Sequence, residues 1–445
     1  MTGNRTAATP DTDAAGLAGR VRELAGQATF PSWLADLRSR ALSELAQAEF
    51  PGRKSEPWKY TRLTALENSG ALGRTATIVQ TPVPAAALPA LDAWRLVFVN
   101  GRYDAAQSSL PADGSLVVSP LIGLADAEQA GARELLTRAD TPPLPFSTFN
   151  RAAFHDGLYV RVPKDAQPAK PLHVVFHTEG TEPATSQARL LIQVETQARL
   201  TLVEQYTAAA ATQYTNAASV IDLARGARLA WMRVQLDDQY FTGSAQLRQQ
   251  ADSHCDAWLL SRGSRLKRND IVCTLAAPGA GLTVKGAFLA GAGEHIDNQV
   301  AIEHAAPHGT SQQVFKGLAG GDGRAVFNGR IHIHPGAKQT SAGLVNNNLL
   351  LSADAEIDTK PELEIYNDDV KCAHGATVGR LNETAVFYLQ SRGVARADAE
   401  LMLALGFVNE LIDSLPLPEL AVWLRAACAD WFAARGARRN SGVTP

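Results

Sequence analysis

Cysteine is scarce in this chain, with Cys255, Cys273, Cys372 and Cys428 as the four in a sequence of 445 residues. A disulfide framework needs far greater density, so free thiols in a reducing compartment are the expected state. No two of them form a Cys-x-x-Cys pair, which excludes the standard zinc and ferredoxin-type motifs. Charge of one sign is missing too. The 42 Lys and Arg against 45 Asp and Glu leave −3, too mild a balance to point to nucleic acid or an anionic membrane. No apolar run approaches the roughly 18 residues of a membrane-spanning helix. The N-terminal segment has no apolar stretch of the secretory kind, so a cytoplasmic protein is expected. The nucleotide and hydrolase signatures Gly-x-x-x-x-Gly-Lys-Ser/Thr, Gly-x-Ser-x-Gly and His-Glu-x-x-His are also absent, as is a Gly-x-Gly-x-x-Gly between strand and helix. P-loop hydrolysis of ATP by this chain is thereby excluded, and no bound nucleotide is expected.

What is present is an ordinary globular composition, 45% apolar and 20% charged, long enough for two or three domains at about 150 residues each. Residues 1–13 are small and polar and read as a disordered tail. Helical spacing follows at Leu17, Val21 and Leu24, and again at Leu34, Leu37, Ala41 and Leu45. Leu96-Val97-Phe98-Val99-Asn100-Gly101 reads as a strand closed by a tight hairpin turn. Residues 121–138 return to a helical pattern. These features describe a mixed, mostly helical domain over 14–148, ending near the Pro-rich run 141–145.

From 149 to 378 the helical period is lost. Short alternating strands recur, among them 198–204, 227–234, 281–289, 325–333 and 348–358. With no interleaved helices a βαβ sheet is excluded, and a sandwich, a barrel or a solenoid remains. Ala198-Arg199-Leu200 returns as Ala227-Arg228-Leu229, 29 residues on, and this loose self-similarity favours a parallel β-helix. The helical period resumes over 379–437. Asn382 is placed as an N-cap and Gly393 as a C′ glycine. Leu401, Leu405, Val408 and Ile412 form one apolar stripe, and Leu420, Leu424, Ala427 and Trp431 a second. The two stripes exceed what a terminal appendage needs and are expected to serve an interface. Residues 438–445 read as a second disordered tail.

Among residues able to carry chemistry, Cys372 and His374 stand out. On a strand, positions i and i+2 share a face about 6.5–7 Å apart, and thiolate with imidazole suits iron, zinc or copper. Two ligands are too few for a closed site, so a partner would have to supply the rest. The bland alternative is a core thiol beside a satisfied histidine. His295, His304, His308, His332 and His334 collect upstream, where a solvated sheet face is the commoner explanation. Asp354, Glu356 and Asp358 alternate and would suit a carbohydrate-active β-helix enzyme, which needs two acids about 5–10 Å apart. More often such a row is an exposed strand face that discourages edge pairing.

The run from Thr359 to Gly379, with Asn367-Asp368-Asp369-Val370-Lys371-Cys372-Ala373-His374-Gly375 at its centre, resembles the signature of the SufB/SufD family of iron–sulfur cluster assembly proteins. Phe387–Gly393, His304-Ala305-Ala306-Pro307-His308, Phe327-Asn328-Gly329 and Asn346–Leu350 match that family in order and spacing. Arg53-Lys54-Ser55-Glu56-Pro57-Trp58-Lys59-Tyr60 resembles its SufD branch. The resemblance implies a right-handed parallel β-helix with helical flanks, mainly β in class, acting as a scaffold rather than an enzyme. It implies a complex with a SufB-like paralogue, met through the end of the β-helix, and a SufC-like ATPase, docked by the C-terminal helices. A homodimer is an option in isolation. Cys372 and His374 map onto the family's subunit junction, where iron or an iron–sulfur cluster is held transiently and shared with the partner. His374 is the better candidate for ligand or iron-entry residue.

Overall fold

The computed structural model describes residues 12–52, 55–77, 79, 81–138 and 144–440. Its body is a parallel β-solenoid of two facing sheets, one ten-stranded and one nine-stranded, with successive strands from Leu158–Val162 onward alternating between them. Each turn therefore contributes one strand to each sheet. The register explains the sequence period: Arg199 pairs with Arg228 and Leu200 with Leu229, so the repeated Ala-Arg-Leu is one complete turn. Lys267 pairs with Ile296 and His295 with Arg324 at the same 29-residue spacing. Alternation along each strand sends one set of side chains inward. The inner set is a continuous apolar column from Leu158 to Ile357, including Leu202, Trp231, Phe288, Phe327 and Ile331. At roughly 1.5–3 kcal/mol per fully buried large side chain, this column is the main force holding the turns together.

The column also contains charge. Glu204 is wholly buried and accepts hydrogen bonds from Trp231 Nε1 at 2.8 Å, Ser219 Oγ at 2.6 Å and the Tyr206 hydroxyl. The buried guanidinium of Arg233 lies 3.6 Å from the same carboxylate. Glu204 and Arg233 thus compensate one another inside the solenoid.

Several local expectations hold in detail. Helices form over Thr12–Gln27, Ala35–Gln47, Asp126–Thr137, Glu383–Ser391, Arg396–Ile412 and Pro418–Asn440. Asn382 caps its helix by accepting from the Thr384 and Ala385 amides, and Gly393 follows the helix at φ +89°. The first helix starts at Thr12 and the last runs to Asn440; the remainder of both expected tails, 1–11 and 441–445, lies outside the described residues, as do 141–143 of the Pro-rich run.

Two strand readings are revised. The Asn100-Gly101 hairpin is present, with both residues at positive φ, but its first strand Trp94–Val99 also pairs in parallel with Leu172–Thr178. A segment of the N-terminal region therefore belongs to the ten-stranded sheet. The strand anticipated over 348–358 is two strands, Thr340–Leu350 and Glu356–Ile365, parted by a turn that Ser352 fixes by donating to Gly321 O at 2.6 Å.

The helices, terminal in sequence, cover flanks in space. Phe149 and Phe146 of the helix Pro145–Ala153 share a core with Tyr214 and Tyr240 on the nine-stranded sheet and with Leu266 in the bend before one of its strands. The two C-terminal stripes are already spent within the chain. Val408, Leu411, Ile412, Leu420, Leu424 and Trp431 pack on Val203, Met232, Trp258 and Leu289, on the outward face of the ten-stranded sheet. Trp258 Nε1 donates to Ser414 Oγ at 3.0 Å and Lys316 Nζ to Phe407 O at 2.9 Å, locking that contact. The expected surplus apolar surface is this internal interface, because burying both faces is cheaper than leaving either wet.

Candidate functional site at the uncapped end of the solenoid

The last two strands, Glu356–Ile365 and Val370–Arg380, form the terminal edges of the two sheets. Each pairs on one side only. Register carries the inward rows of the preceding turn onto them: Ala342 pairs with Cys372, Leu344 with His374, Asn346 with Ala376 and Asn348 with Val378. Ile331 and Ile333 likewise pair with Leu363 and Ile365. These side chains continue the inner column, yet no further turn covers them among the described residues. Cys372 is half-buried against the core and His374 is exposed. Ile365, Tyr366 and Val378 are 41%, 61% and 44% exposed. A solenoid end left with apolar, unpaired edge strands is an invitation to further stacking.

The floor beneath this rung is polar and ordered. Asn348 Nδ2 donates to Asn346 Oδ1 at 2.7 Å and to Thr377 O at 3.1 Å, and Thr359 Oγ1 donates to Asn346 Oδ1 at 2.7 Å. The Asn346-Asn347-Asn348 run thereby ties the two terminal strands to the turn below. Burial pushes the Cys372 thiol above its ordinary pKa, so the isolated chain holds it as a thiol that a metal would have to deprotonate.

Cys372 and His374 do share a face, as alternation required. Cys255 and Cys273 are buried in the inner column and Cys428 on the buried side of the last helix; burial raises all three thiols, Cys273 to about 12. They are inert core thiols. His304 points inward and bonds Ser311 Oγ at 2.8 Å, and His308 sits in a turn at φ +61°. His295 joins Thr61 Oγ1 at 3.0 Å, so it anchors the N-terminal segment. That segment is further held by Trp58, whose ring lies 3.8 Å from the Arg268 guanidinium carbon, and by Arg268 Nη1 donating to Pro57 O at 2.9 Å. The described part of the 53–60 motif is thus a docking element; Arg53 and Lys54 lie outside the described residues.

The carboxylate row gives nothing to a glycosidase. Asp354 lies in the turn, while Glu356 and Asp358 project from the outward face of one edge strand, Glu356 facing Arg324 at 3.5 Å. Burial and the Glu356 charge raise the Asp358 pKa. Side chains on one strand face do not oppose each other across a bound sugar.

Sequence reading missed two things. One is the exposed apolar set Ile365, Tyr366 and Val378, whose neighbours in the alternating pattern resemble any inner row. The other is Glu303. Histidines 332 and 334 are visible in the sequence, but Glu303 joins them only because one 29-residue turn lays it directly beside His332. Counting back one period from His332 would have found it.

Comparison with known proteins places the chain in a family. Residues 176–407 match the SUF system FeS cluster assembly SufBD core domain, and residues 25–174 match the SufBD protein N-terminal region. The chain is 32% identical over 389 residues to the iron–sulfur cluster assembly protein SufD of Escherichia coli, covering 84% of this chain and 87% of that one. An iron–sulfur cluster assembly SufBD family protein of Synechocystis is 31% identical over 421 residues, covering 89% and 91% respectively. The iron–sulfur cluster assembly protein SufB of Bacillus subtilis is 27% identical over 277 residues, 61% of this chain and 59% of that one. The chain belongs to the SufBD family of iron–sulfur cluster assembly proteins.

Proposed function

We propose that this chain is a SufD-like scaffold subunit that helps build iron–sulfur clusters at a junction with a SufB-like paralogue, without turnover of its own. The observation that carries this reading is the exposed inner row at the solenoid end, with Cys372 and His374 in register above Ala342 and Leu344. A paralogue with the same architecture would stack a further turn on these edges at about 4.8 Å strand spacing and complete the ligand set. The cluster is cargo, so ligands divided between two subunits have a physical use. Thiolate and imidazole bind the nascent cluster, and rigid-body separation of the subunits removes half of the ligands at once.

An ATPase partner supplies that separation in this reading, since the chain lacks a P-loop. Its docking surface is assigned to the outward side of the C-terminal helices, where Phe387, Tyr388, Met402 and Val422 are exposed. In the described residues no helix is long and apolar enough to cross a membrane, and a cytoplasmic setting is part of the proposal. The test is co-expression with SufB-like and SufC-like subunits, purification of the complex, and assay of iron, sulfide and ATPase. A complex in which Ile365→Glu with Val378→Glu still assembles normally would overturn the end-on junction. If the isolated chain is a dimer that these changes split, the same edge serves self-pairing.

A further inference from the structure

The outward face of the nine-stranded sheet carries a second cluster of ligating side chains, on the opposite side of the strands from Cys372 and His374's inward row. Glu303 is the penultimate residue of the strand His295–His304, and His332 is its register partner on the next strand of the sheet. Glu303 Oε2 lies 2.7 Å from His332 Nδ1 and 2.9 Å from His334 Nε2. The two rings stack with centroids 4.2 Å apart. All three residues offer a ligand atom within 4.8 Å of the others. The geometry points to a binding site for a divalent first-row transition metal ion, of the iron(II) or zinc class, formed by Glu303, His332 and His334.

The spacing suits the chemistry. Ligand atoms about 2.0–2.1 Å from a common ion stand about 3.0–3.4 Å from one another, close to the 2.7 and 2.9 Å between Glu303 Oε2 and the two ring nitrogens. Two imidazoles and one carboxylate form the donor set of open iron(II) and zinc sites, which keep positions free for exchange. The carboxylate is pre-oriented. Arg330 Nη1 donates to Glu303 Oε1 at 2.9 Å, leaving Oε2 for the rings. Glu364 accepts from Arg330 Nε and Nη2, both at 2.9 Å, so a carboxylate offsets that cation, and Nη2 also lies 3.1 Å from His332 Nδ1. An ion can reach the site, because His334 is 41% exposed and Tyr366, edge-on to His332 at 5.4 Å, is exposed as well. Without an ion, His332 Nδ1 either donates to Glu303 Oε2 or accepts from Arg330 Nη2 at 3.1 Å, and cannot satisfy both. A metal ion satisfies both nitrogens and the oxygen together.

The site does not rest on the scaffold reading, and its test uses the full chain alone. Metal-stripped protein is titrated with zinc and, anaerobically, with iron(II) by calorimetry, and with cobalt(II) by visible absorption. The expected result is one ion bound with a nitrogen–oxygen ligand spectrum and no thiolate charge-transfer band. His334→Ala, at the exposed position after the strand, should lose that ion with an unchanged melting temperature, as should Glu303→Gln. A Cys372→Ala/His374→Ala chain should retain it. Zinc binding without iron(II) binding would identify the site as a zinc site. Wild-type protein that binds no ion, or a His332→Ala/His334→Ala chain that binds as many as wild type, would overturn the proposal and leave the cluster an ion pair only.

Discussion

Leu344 and His374 occupy the same position on successive turns, in direct register, yet Leu344 is buried and His374 is exposed. The inner column has simply run out of turns above His374. Its exposure belongs to the end of the stack rather than to a polar surface, and this leaves Cys372 and His374 open to the partner proposed above.

Replacing His374 therefore separates stability from function. His374→Ala should leave the melting temperature of the chain nearly unchanged, since an exposed side chain contributes little, within about 0.5 kcal/mol. The same substitution should lower iron and sulfide content in the assembled complex. Cys372→Ala should cost the chain more stability, about 1 kcal/mol, because its side chain packs on the core. Melting curves and iron and sulfide assays on the same preparations check both. Normal loading of a His374→Ala complex would end its role as ligand.

The Glu204–Arg233 pair should be the most sensitive interior position of the solenoid. Glu204→Ala leaves the Arg233 guanidinium buried without its carboxylate and should cost about 3–5 kcal/mol. A Glu204→Leu/Arg233→Met chain should recover much of that loss, because neither charge is then stranded. Urea midpoints of wild type, the single variant and the double variant read this directly. A double variant no better than Glu204→Ala would show that the other bonds to Glu204, from Trp231 and Ser219, dominate instead.

Removal of the C-terminal helices should damage the body. Deleting 394–445 bares Val203, Met232, Trp258 and Leu289, a face that those helices now cover. The expected outcome is a lower melting temperature and increased binding of a hydrophobic dye, with aggregation at working concentrations. A truncated chain as stable and soluble as wild type would contradict this. Point changes test partner binding more cleanly. Met402→Glu and Val422→Glu, at exposed positions, should weaken capture of the ATPase subunit while the fold survives.

Stability should fall below neutral pH. Burial holds His173 and His304 at pKa values of about 4, below the unfolded value near 6.5. Both stay neutral in the folded chain while the unfolded chain takes up protons. Their contribution is complete above pH ~6.5 and is lost as pH drops toward about 4, by at most about 1.4 kcal/mol per pH unit for each. His304→Gln should flatten the melting-temperature profile between pH 7 and 4.5. An unaltered slope would remove His304 from the account.

Local order was legible in the sequence because local order is set by near neighbours. The Asn382 cap, the Gly393 terminus, the hairpin at Asn100-Gly101 and the 29-residue return of Ala-Arg-Leu each depend on a few adjacent residues or on one repeated turn. The Cys372-x-His374 face followed from strand alternation alone. Three-dimensional neighbours decided the rest. Whether the stripes at Val408 and Leu424 meet a partner or the chain's own sheet depends on which outward residues, here Met232 and Trp258, lie across from them. Whether His374 is covered depends on the count of turns above it. Glu303 meets His332 only through register, since one turn of solenoid separates them in sequence and a single strand spacing separates them in space. Alternation and capping are short-range constraints that the chain states locally, whereas docking, register and the end of the stack are set by packing between distant segments.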